Sequence, residues 1–231
     1  TGAMNVFPDS PDFPQRDKLI LSKGHSAAIL YASLAHAGFF PIKLLSTYCD
    51  DGSPLSGHAT HCNNPGVELS TGSLGHGFSV GVGFALAAKQ AKSPARTYVI
   101  LSDGECDEGS NWEAALFAPH HNLDNLVVIV DYNKIQSFGR VEEVLELHPF
   151  AEKWTAFNWN VLSIDGHNHE DIKSALNSAR EAKGKPTVII ANTVKGYGVS
   201  FMEDKLLWHY KSPDHEQLAK AIAEVVDGGV Q

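Results

Sequence analysis

The sequence has few cysteines, and none of them belongs to a CxxC motif. Its three cysteines, Cys49, Cys62 and Cys106, cannot all pair with one another within the chain. This scarcity excludes a small scaffold held together by disulfides. It also favours a reducing compartment, for which the cytoplasm is the simplest interpretation.

Long apolar runs and clusters of basic residues are also lacking. The longest apolar stretch, GFSVGVGFALAA, is broken by three glycines and is too short to span a bilayer. The 27 acidic residues outnumber the 18 basic ones, which gives a net charge of −9. We therefore expect neither a nucleic acid nor a membrane as partner.

Two cysteines and two histidines, Cys49, His58, His61 and Cys62, lie close together in the sequence. They could form a Cys₂His₂ zinc site, but their spacing matches none of the usual zinc-finger patterns. We therefore prefer the interpretation that these cysteines are buried beside a loop of the functional site.

Several apolar runs are continuous rather than alternating, which is typical of parallel strands buried on both faces. These runs are residues 97–102, 125–131, 160–165 and 186–193. Helical patterns lie between them, at 25–38, 74–92, 110–121, 149–158 and 169–184, the last with Asn168 as its N-cap and Gly184 at its end. This alternation predicts an α/β fold, a doubly wound and mainly parallel sheet with helices on both faces, in a single domain over residues 1–231.

Polar residues follow two of these predicted strands. Asp103 comes directly after TYVILS, and Asp131 and Asn133 come at the end of NLVVIVDYN. The thirty residues from Asp103 to Asn133 are enough for one crossover helix and a neighbouring parallel strand. Because ligands of open α/β sheets bind at the carboxyl ends of the strands, we expect these side chains to converge on one site.

The chemistry of these side chains favours magnesium bound to a phosphate. A carboxylate and an amide oxygen, with most coordination positions left open, suit Mg²⁺ better than zinc. Gly104 lets the backbone approach a phosphate, and a helix that begins near Ser110 offers unpaired N–H groups. A lone Asp-Gly is more often a simple turn, but the second strand with its own Asn133 favours a metal–diphosphate site.

Histidines form a second group of candidates. Six of the twelve lie beside glycine or in predicted loops: His25, His58, His61, His76, His167 and His209. A loop histidine near a metal-bound cofactor can form a hydrogen bond with a carbonyl group or protonate it. For any single one of them a surface position is the simpler interpretation.

Five separated motifs, in order along the chain, resemble one known family. They are RDKLILSKGHSAAILYASLAHAGFF, SGHATHCNNPGVELSTGSLGHGFSVGVGFALA, LSDGECDEGSNWEAALFA, VVIVDYNKIQSFGRVEEV and TVKGYGVSFMEDKLLWHYKSP. The family is transketolase, in its thiamine-diphosphate-binding half. The likeness runs from about Met4 to Ala223, and it is greatest to the N-terminal subunit of transketolases that are split over two polypeptides.

The resemblance implies thiamine diphosphate and Mg²⁺, or Ca²⁺ or Mn²⁺ in its place, as cofactors. It implies Asp103, Asn133 and the carbonyl of Ile135 as metal ligands. The implied cofactor contacts are Gly72, Leu74, Gly104, Glu105, Asn133 and Lys195. The implied catalytic residues are His25, His58 and His209, which bind oxygens and move protons, and Glu108, an acid at the subunit interface.

The activity implied by the resemblance is the transfer of a two-carbon ketol unit from a ketose to an aldose, with sugars or sugar phosphates as substrates. The implied partner is a pyrimidine-binding C-terminal transketolase subunit in an α₂β₂ assembly, which supplies a glutamate, so that this chain alone is silent. Two alternatives are a deoxyxylulose-phosphate-synthase-like enzyme and the α chain of a 2-oxo acid dehydrogenase, against both of which VSFMEDKLLWH argues. A non-catalytic cofactor-binding subunit is a further alternative, against which the intact Asp103, Asn133 and three histidines argue.

The sequence departs from the family at three places. Ser102 stands where the family has the first glycine of Gly-Asp-Gly, and we expect metal binding to survive this change. Tyr210 stands where split transketolases have glycine in WHGKAP, which bears on the sugar acceptor. The family also carries a helical segment with another active-site histidine ahead of this chain's first residue, so we expect an N-terminal part of the domain to be missing.

Overall fold

The computed structural model describes residues 2–228 and contains a five-stranded sheet and a separate two-stranded hairpin. The strands of the main sheet are β1 (Lys18–Leu21), β2 (Thr97–Ser102), β3 (Leu126–Tyr132), β6 (Asn160–Asp165) and β7 (Thr187–Asn192), and the hairpin is β4 (Ile135–Gln136) with β5 (Gly139–Arg140). The α-helices are α1 (Ala27–His36), α2 (His76–Gln90), α3 (Gly109–His120), α4 (Val141–Val144), α5 (Phe150–Ala156), α6 (His169–Glu181) and α7 (His215–Asp227). Short 3₁₀ turns cover Gly24–Ser26, Ile42–Thr47, Gly104–Asp107 and Leu206–His209.

The order of the main sheet is β1-β2-β3-β7-β6, and all of its pairings are parallel. The ends of β2 and β3 lie side by side, with Ser102 opposite Asp131. The loops that carry Asp103 and Asn133 therefore leave the same edge of the sheet, as the sequence predicts.

The central strands are buried on both faces. In β3, Val128 and Val130 belong to a core that includes Phe78 of α2 and Trp154 of α5. The alternate residue Val127 belongs to a second core with two alanines of α6, Ala175 and Ala179. Helices thus cover both faces, which confirms the predicted fold class and explains why these strands are continuous apolar runs.

Several elements differ from the sequence prediction. β1, the hairpin, α4 and α7 were not predicted, and β1 has only four residues. Asn168 caps α6 as predicted, by accepting hydrogen bonds from the N–H groups of Glu170 and Asp171 at 3.0 and 3.3 Å. The predicted end at Gly184 was wrong. The helix ends at Glu181, because Ala182 turns to an extended ψ of 139°, and Gly184 follows in the loop with a φ of +74°.

All three cysteines are free thiols. Cys106 is buried, but Cys49 and Cys62 are exposed, so the expectation that they are buried was wrong. Both lie in surface loops outside the helices and strands, where no apolar layer covers them. Among residues 2–228, no helix is long and apolar enough to cross a membrane.

Candidate active site

A cavity of about 410 Å³ opens at the carboxyl ends of β1, β2, β3 and β7. It brings together all but one of the site residues that the family resemblance implies: His25, Gly72, Leu74, Asp103, Gly104, Glu105, Glu108, Asn133, Ile135, Lys195 and His209. The exception, His58, is exposed and does not line the cavity, although a Cβ added to Gly72 would come 3.2 Å from its ring. The other candidate histidines, His61, His76 and His167, do not line it either. One site at the strand ends therefore collects residues that are spread over most of the sequence.

Asp103 lies at the floor of this cavity and is only 1% exposed. Its carboxylate accepts hydrogen bonds from the N–H groups of Gly104 and Lys134, at 2.7 and 2.5 Å. Burial raises the pKa of Asp103 to about 6 although these two donors act to lower it. Two backbone donors do not offset the desolvation of this charge, and a bound cation would.

Asn133 and Ile135 follow directly on β3. The side-chain oxygen of Asn133 accepts a hydrogen bond from the N–H of Ile135 at 3.1 Å, which holds the turn into the hairpin. At Gly104 a Cβ would lie 2.6 Å from Cβ of Gln136, so only glycine lets these two loops approach. The oxygens of Asn133 and Ile135, beside the carboxylate of Asp103 whose buried charge is not offset, are ligands that suit a cation such as Mg²⁺.

Glu105 is completely buried, and its carboxylate serves donors of the protein itself. It accepts hydrogen bonds from the hydroxyl of Ser22 at 2.5 Å and from the N–H groups of Gly75 and Ser102 at 2.9 and 3.3 Å. Burial raises the pKa of Glu105. The side chain thereby joins the ends of β1 and β2 to the start of α2, a supporting role that the sequence did not indicate.

Ser102, which departs from the family pattern, fits its position without strain. It is the last residue of β2, where an extended backbone suits serine as well as glycine. Its hydroxyl oxygen accepts a hydrogen bond from the N–H of Glu105 at 3.2 Å. The serine therefore supports the turn that carries Asp103.

Sequence reasoning missed an ion pair beneath the cavity. The ammonium group of Lys23 lies 2.6 Å from Asp131, whose other carboxylate oxygen accepts a hydrogen bond from Thr193 at 2.5 Å. Burial acts to raise the pKa of Asp131, but the attraction of Lys23 outweighs it and the pKa is lowered. The only sequence feature that pointed to this ion pair was the lysine of SKGHS, two residues before His25.

Two histidines face each other at the mouth of the cavity. The ring centroids of His25 and His209 are 5.4 Å apart. Partial burial, followed by repulsion from Lys23, lowers the pKa of His25 to about 4. Burial and then Lys195 lower the pKa of His209 as well. Both imidazoles are therefore neutral near pH 7, and each can donate one hydrogen bond and accept another.

Glu108 and Lys195 also line this cavity. Glu108 is exposed at the start of α3, where its side chain makes no capping hydrogen bond. Lys195 is half-buried in the loop after β7, and burial, followed by repulsion from Lys23, lowers its pKa. An acid and two ammonium groups thus border the two neutral imidazoles.

Residues 2–221 match the family model described as transketolase, thiamine diphosphate binding domain. The chain belongs to this family. Over 226 residues it is 46% identical to the 6-deoxy-6-sulfo-D-fructose transketolase subunit SqwG of Clostridium sp. (strain MSTE9), a match that covers 98% of this chain and 82% of that protein. Over 222 residues it is 45% identical to an apulose-4-phosphate transketolase subunit of Phocaeicola vulgatus, covering 96% of this chain and 79% of that protein.

The transketolase of Campylobacter jejuni has the same fold as this transketolase-family chain, with a TM-score of 0.91 at 32% identity. The match covers 96% of this chain and 36% of that one. This chain therefore corresponds to about a third of a one-chain transketolase and to most of the length of relatives that are named as subunits. It is the thiamine-diphosphate-binding part of a transketolase, which is a transferase.

Proposed function

We propose that this chain is the cofactor-binding subunit of a split transketolase that moves a two-carbon ketol unit from a ketose to an aldose. The observation that carries the proposal is the single cavity at the strand ends. There a buried carboxylate, Asp103, lies beside the oxygen donors of Asn133 and Ile135. Two neutral histidines border the opening.

Mg²⁺ is the metal we propose for this site, with Ca²⁺ or Mn²⁺ as substitutes. Asp103, the side-chain oxygen of Asn133 and the carbonyl of Ile135 would hold it, and its remaining positions would be left for phosphate oxygens and water. The unpaired charge of Asp103 supports the assignment, because a cation offsets the cost of its burial.

When bound, thiamine diphosphate supplies the carbanion chemistry that breaks and forms the carbon–carbon bond. Gly104 and the backbone of Glu105 would lie against its diphosphate, Gly72 and Leu74 under its ring, and Lys195 beside it. His25 and His209 hydrogen-bond to substrate oxygens and exchange protons with them as charge develops. His58 stays a predicted catalytic residue, and the close approach of its ring to Gly72 suits it to support that loop.

The proposed partner is a pyrimidine-binding transketolase subunit in an α₂β₂ assembly, whose glutamate completes the cofactor site. Support comes from the relatives, which are named as subunits. The exposed position of Glu108 suits an acid that meets the partner. We also propose that residues 1–231 form one domain and that its compartment is the reducing cytoplasm, which the three free thiols support.

The names of the relatives favour a particular class of donor. One relative is named for 6-deoxy-6-sulfo-D-fructose and another for apulose-4-phosphate. Each of these sugars carries an anionic group, a sulfonate or a phosphate. We therefore propose an anionic ketose as the donor for this chain.

The test is to co-produce the chain with a pyrimidine-binding transketolase subunit from the same organism and to assay ketol transfer. The panel holds phosphorylated, sulfonated and neutral ketoses, each with a series of aldoses. We expect transfer with an anionic ketose that depends on both cofactors. A purified complex that binds thiamine diphosphate but transfers no ketol unit would instead support the non-catalytic alternative.

Asp103→Asn tests the metal assignment, because it keeps the shape of the side chain and removes its charge. We expect the Mg²⁺-dependent affinity for thiamine diphosphate to fall by at least about tenfold, or 1.4 kcal/mol, as measured by calorimetry. Asp165→Asn, at the exposed end of β6, is the matched control and should leave the affinity unchanged. Undiminished affinity in Asp103→Asn would remove Asp103 from the metal site.

A further inference from the structure

Two chain segments face each other across the mouth of the cavity. One is the hairpin segment, residues 135–140, which contributes the carbonyl of Ile135 and whose tip residue Phe138 is 83% exposed. The other is the His209 turn, residues 206–210, which contributes His209. The position of His209 relative to the proposed metal site depends on how these two segments are held together.

The His209 turn has little packing of its own. None of the residues Leu206–His209 is buried. The indole N–H of Trp208 donates to the carbonyl of Phe201 at 2.8 Å, but this anchor lies in the same loop. Apolar burial therefore does not fix the turn against the hairpin segment, and polar bridges have to do so.

Two bridges join the hairpin segment to this loop, one at the His209 turn itself and one just before it. The hydroxyl of Tyr210 donates a hydrogen bond to the carbonyl of Ser137 at 2.5 Å, and Arg140 forms an ion pair with Asp204 at 2.5 Å. Both partners of the ion pair are more than 40% exposed, so solvent screening leaves it worth little. Tyr210 is itself 66% exposed, but its bond starts from the residue next to His209, and the two ring centroids are 5.0 Å apart, so it holds His209 more directly than the ion pair does.

We propose that Tyr210 is a positioning residue for His209, because its bond to Ser137 fixes the His209 turn against the hairpin segment that carries Ile135. This inference rests on the proposed function, since it places His209 relative to the reacting sugar. Glycine, which split transketolases have at this position by the resemblance, cannot form the bridge. This chain thus holds the mouth of its cavity by a contact of its own side chain.

Tyr210→Phe tests the bridge in the assembled two-subunit enzyme, because it removes the hydroxyl and keeps the ring. One net hydrogen bond of about 0.5–1.5 kcal/mol corresponds to a factor of roughly 2 to 13. We expect hydrogen exchange in residues 206–210 to rise by a factor in this range. We expect kcat/KM for the aldose to fall by a similar factor while the affinity for thiamine diphosphate stays within twofold.

Leu207→Ala is the matched control, because Leu207 is 61% exposed on the same turn and its side chain is not part of the bridge. It should leave exchange and kinetics as in the wild type. Tyr210→Gly should show the same loss of protection, and its missing ring should also change the ranking of aldoses by kcat/KM.

Unchanged exchange in Tyr210→Phe would overturn the proposal, and so would faster exchange with unchanged kinetics, since the bridge would then not position His209 for reaction. A wild-type complex without ketol transfer would overturn the proposed function instead. Exchange in residues 206–210 does not depend on turnover. It would therefore still decide whether Tyr210 holds the turn.

Discussion

At the mouth of the cavity, His25 and His209 lie close to the ammonium groups of Lys23 and Lys195. Burial and these positive neighbours lower the pKa values of both histidines. Neutral imidazoles suit the proposed chemistry, because each can accept a proton from a substrate hydroxyl near pH 7 and return it later.

The lowered pKa of His25 predicts a particular dependence of stability on pH. Its folded-state pKa is about 4 and its ordinary value is 6.5, so between these values the unfolded chain binds more protons. The contribution of His25 to the unfolding free energy is therefore fully present above pH 6.5, and it is lost as the pH falls toward 4. In His25→Gln the unfolding free energy should therefore fall less steeply with decreasing pH than in the wild type. Urea denaturation at pH 7, 6 and 5 measures this slope.

The exposed His36 of α1 offers the matched control, because His36→Gln removes a histidine without changing the cavity. An identical pH slope in His25→Gln and the wild type would contradict the prediction. His25 as a residue is exposed, although its pKa is lowered chiefly by burial. Solvent screening therefore reduces the effect, and the direction of the change is the test.

Single residues of the site were predictable where local chemistry marked them. Asp103 and Asn133 each follow an apolar run and carry an oxygen that suits a hard cation, so the sequence indicated directly that they belong to a site. The pairing of Lys23 with Asp131 was not predictable, because the two residues are 108 positions apart and meet only through the order of the strands. The inward-facing carboxylate of Glu105 was missed for the same reason, since its partner Ser22 is 83 positions away.

At the scale of elements, the start of α2 depends on Gly75. Its φ is +82°, its N–H donates to Glu105, and a Cβ there would lie 2.3 Å from the hydroxyl oxygen of Ser110. Gly75→Ala should therefore lower the unfolding free energy by about 1–3 kcal/mol. Chemical denaturation of the variant measures this change.

Gly83 is the matched control within the same helix. It is exposed, and a Cβ there would meet no atom within 4 Å. Gly83→Ala should raise stability by about 0.5–1 kcal/mol, because alanine favours the helix interior. Equal effects of the two substitutions would show that Gly75 does not support the Glu105 contacts.

Elements were predicted well where the pattern was long. The apolar run at 97–102 coincides with β2, and the others lie within one residue of their strands. β1 was missed because it has only four residues, one of them Lys18, and so short a run gives no clear period. α7 carried a readable signal, since Asp214 and Gln217 form a capping box with reciprocal hydrogen bonds of 2.9 and 3.1 Å.

At the scale of the whole molecule, parallel strands and crossover helices followed from the alternation of patterns. The adjacency of β2 and β3 was predictable because one crossover joins them. The full order β1-β2-β3-β7-β6 was not, because no local residue pattern states which distant strands become neighbours. The cavity depends on this strand order. The full set of residues that line it therefore could not be predicted from local sequence patterns.

The chain purified without its partner should bind thiamine diphosphate weakly and show no ketol transfer. The proposed reason is that the partner supplies the glutamate and the other wall of the site. Adding the partner subunit should restore both properties, as measured by calorimetry and by a coupled transfer assay. Robust turnover by the isolated chain, with a co-purified partner excluded by mass spectrometry, would contradict the split-enzyme proposal.

The sheet order also sets the time at which the cavity can first form during protein synthesis. β1 is made before its partners, so Ser22 and Lys23 at its end must wait for residues 83 and 108 positions later. The Lys195 loop follows later still. Because such non-local pairing is slow, β1 of the nascent chain stays unpaired at least until its neighbour β2 has been made. Until then its apolar residues are open to contacts with other chains, so the risk of aggregation is greatest before the cofactor site exists.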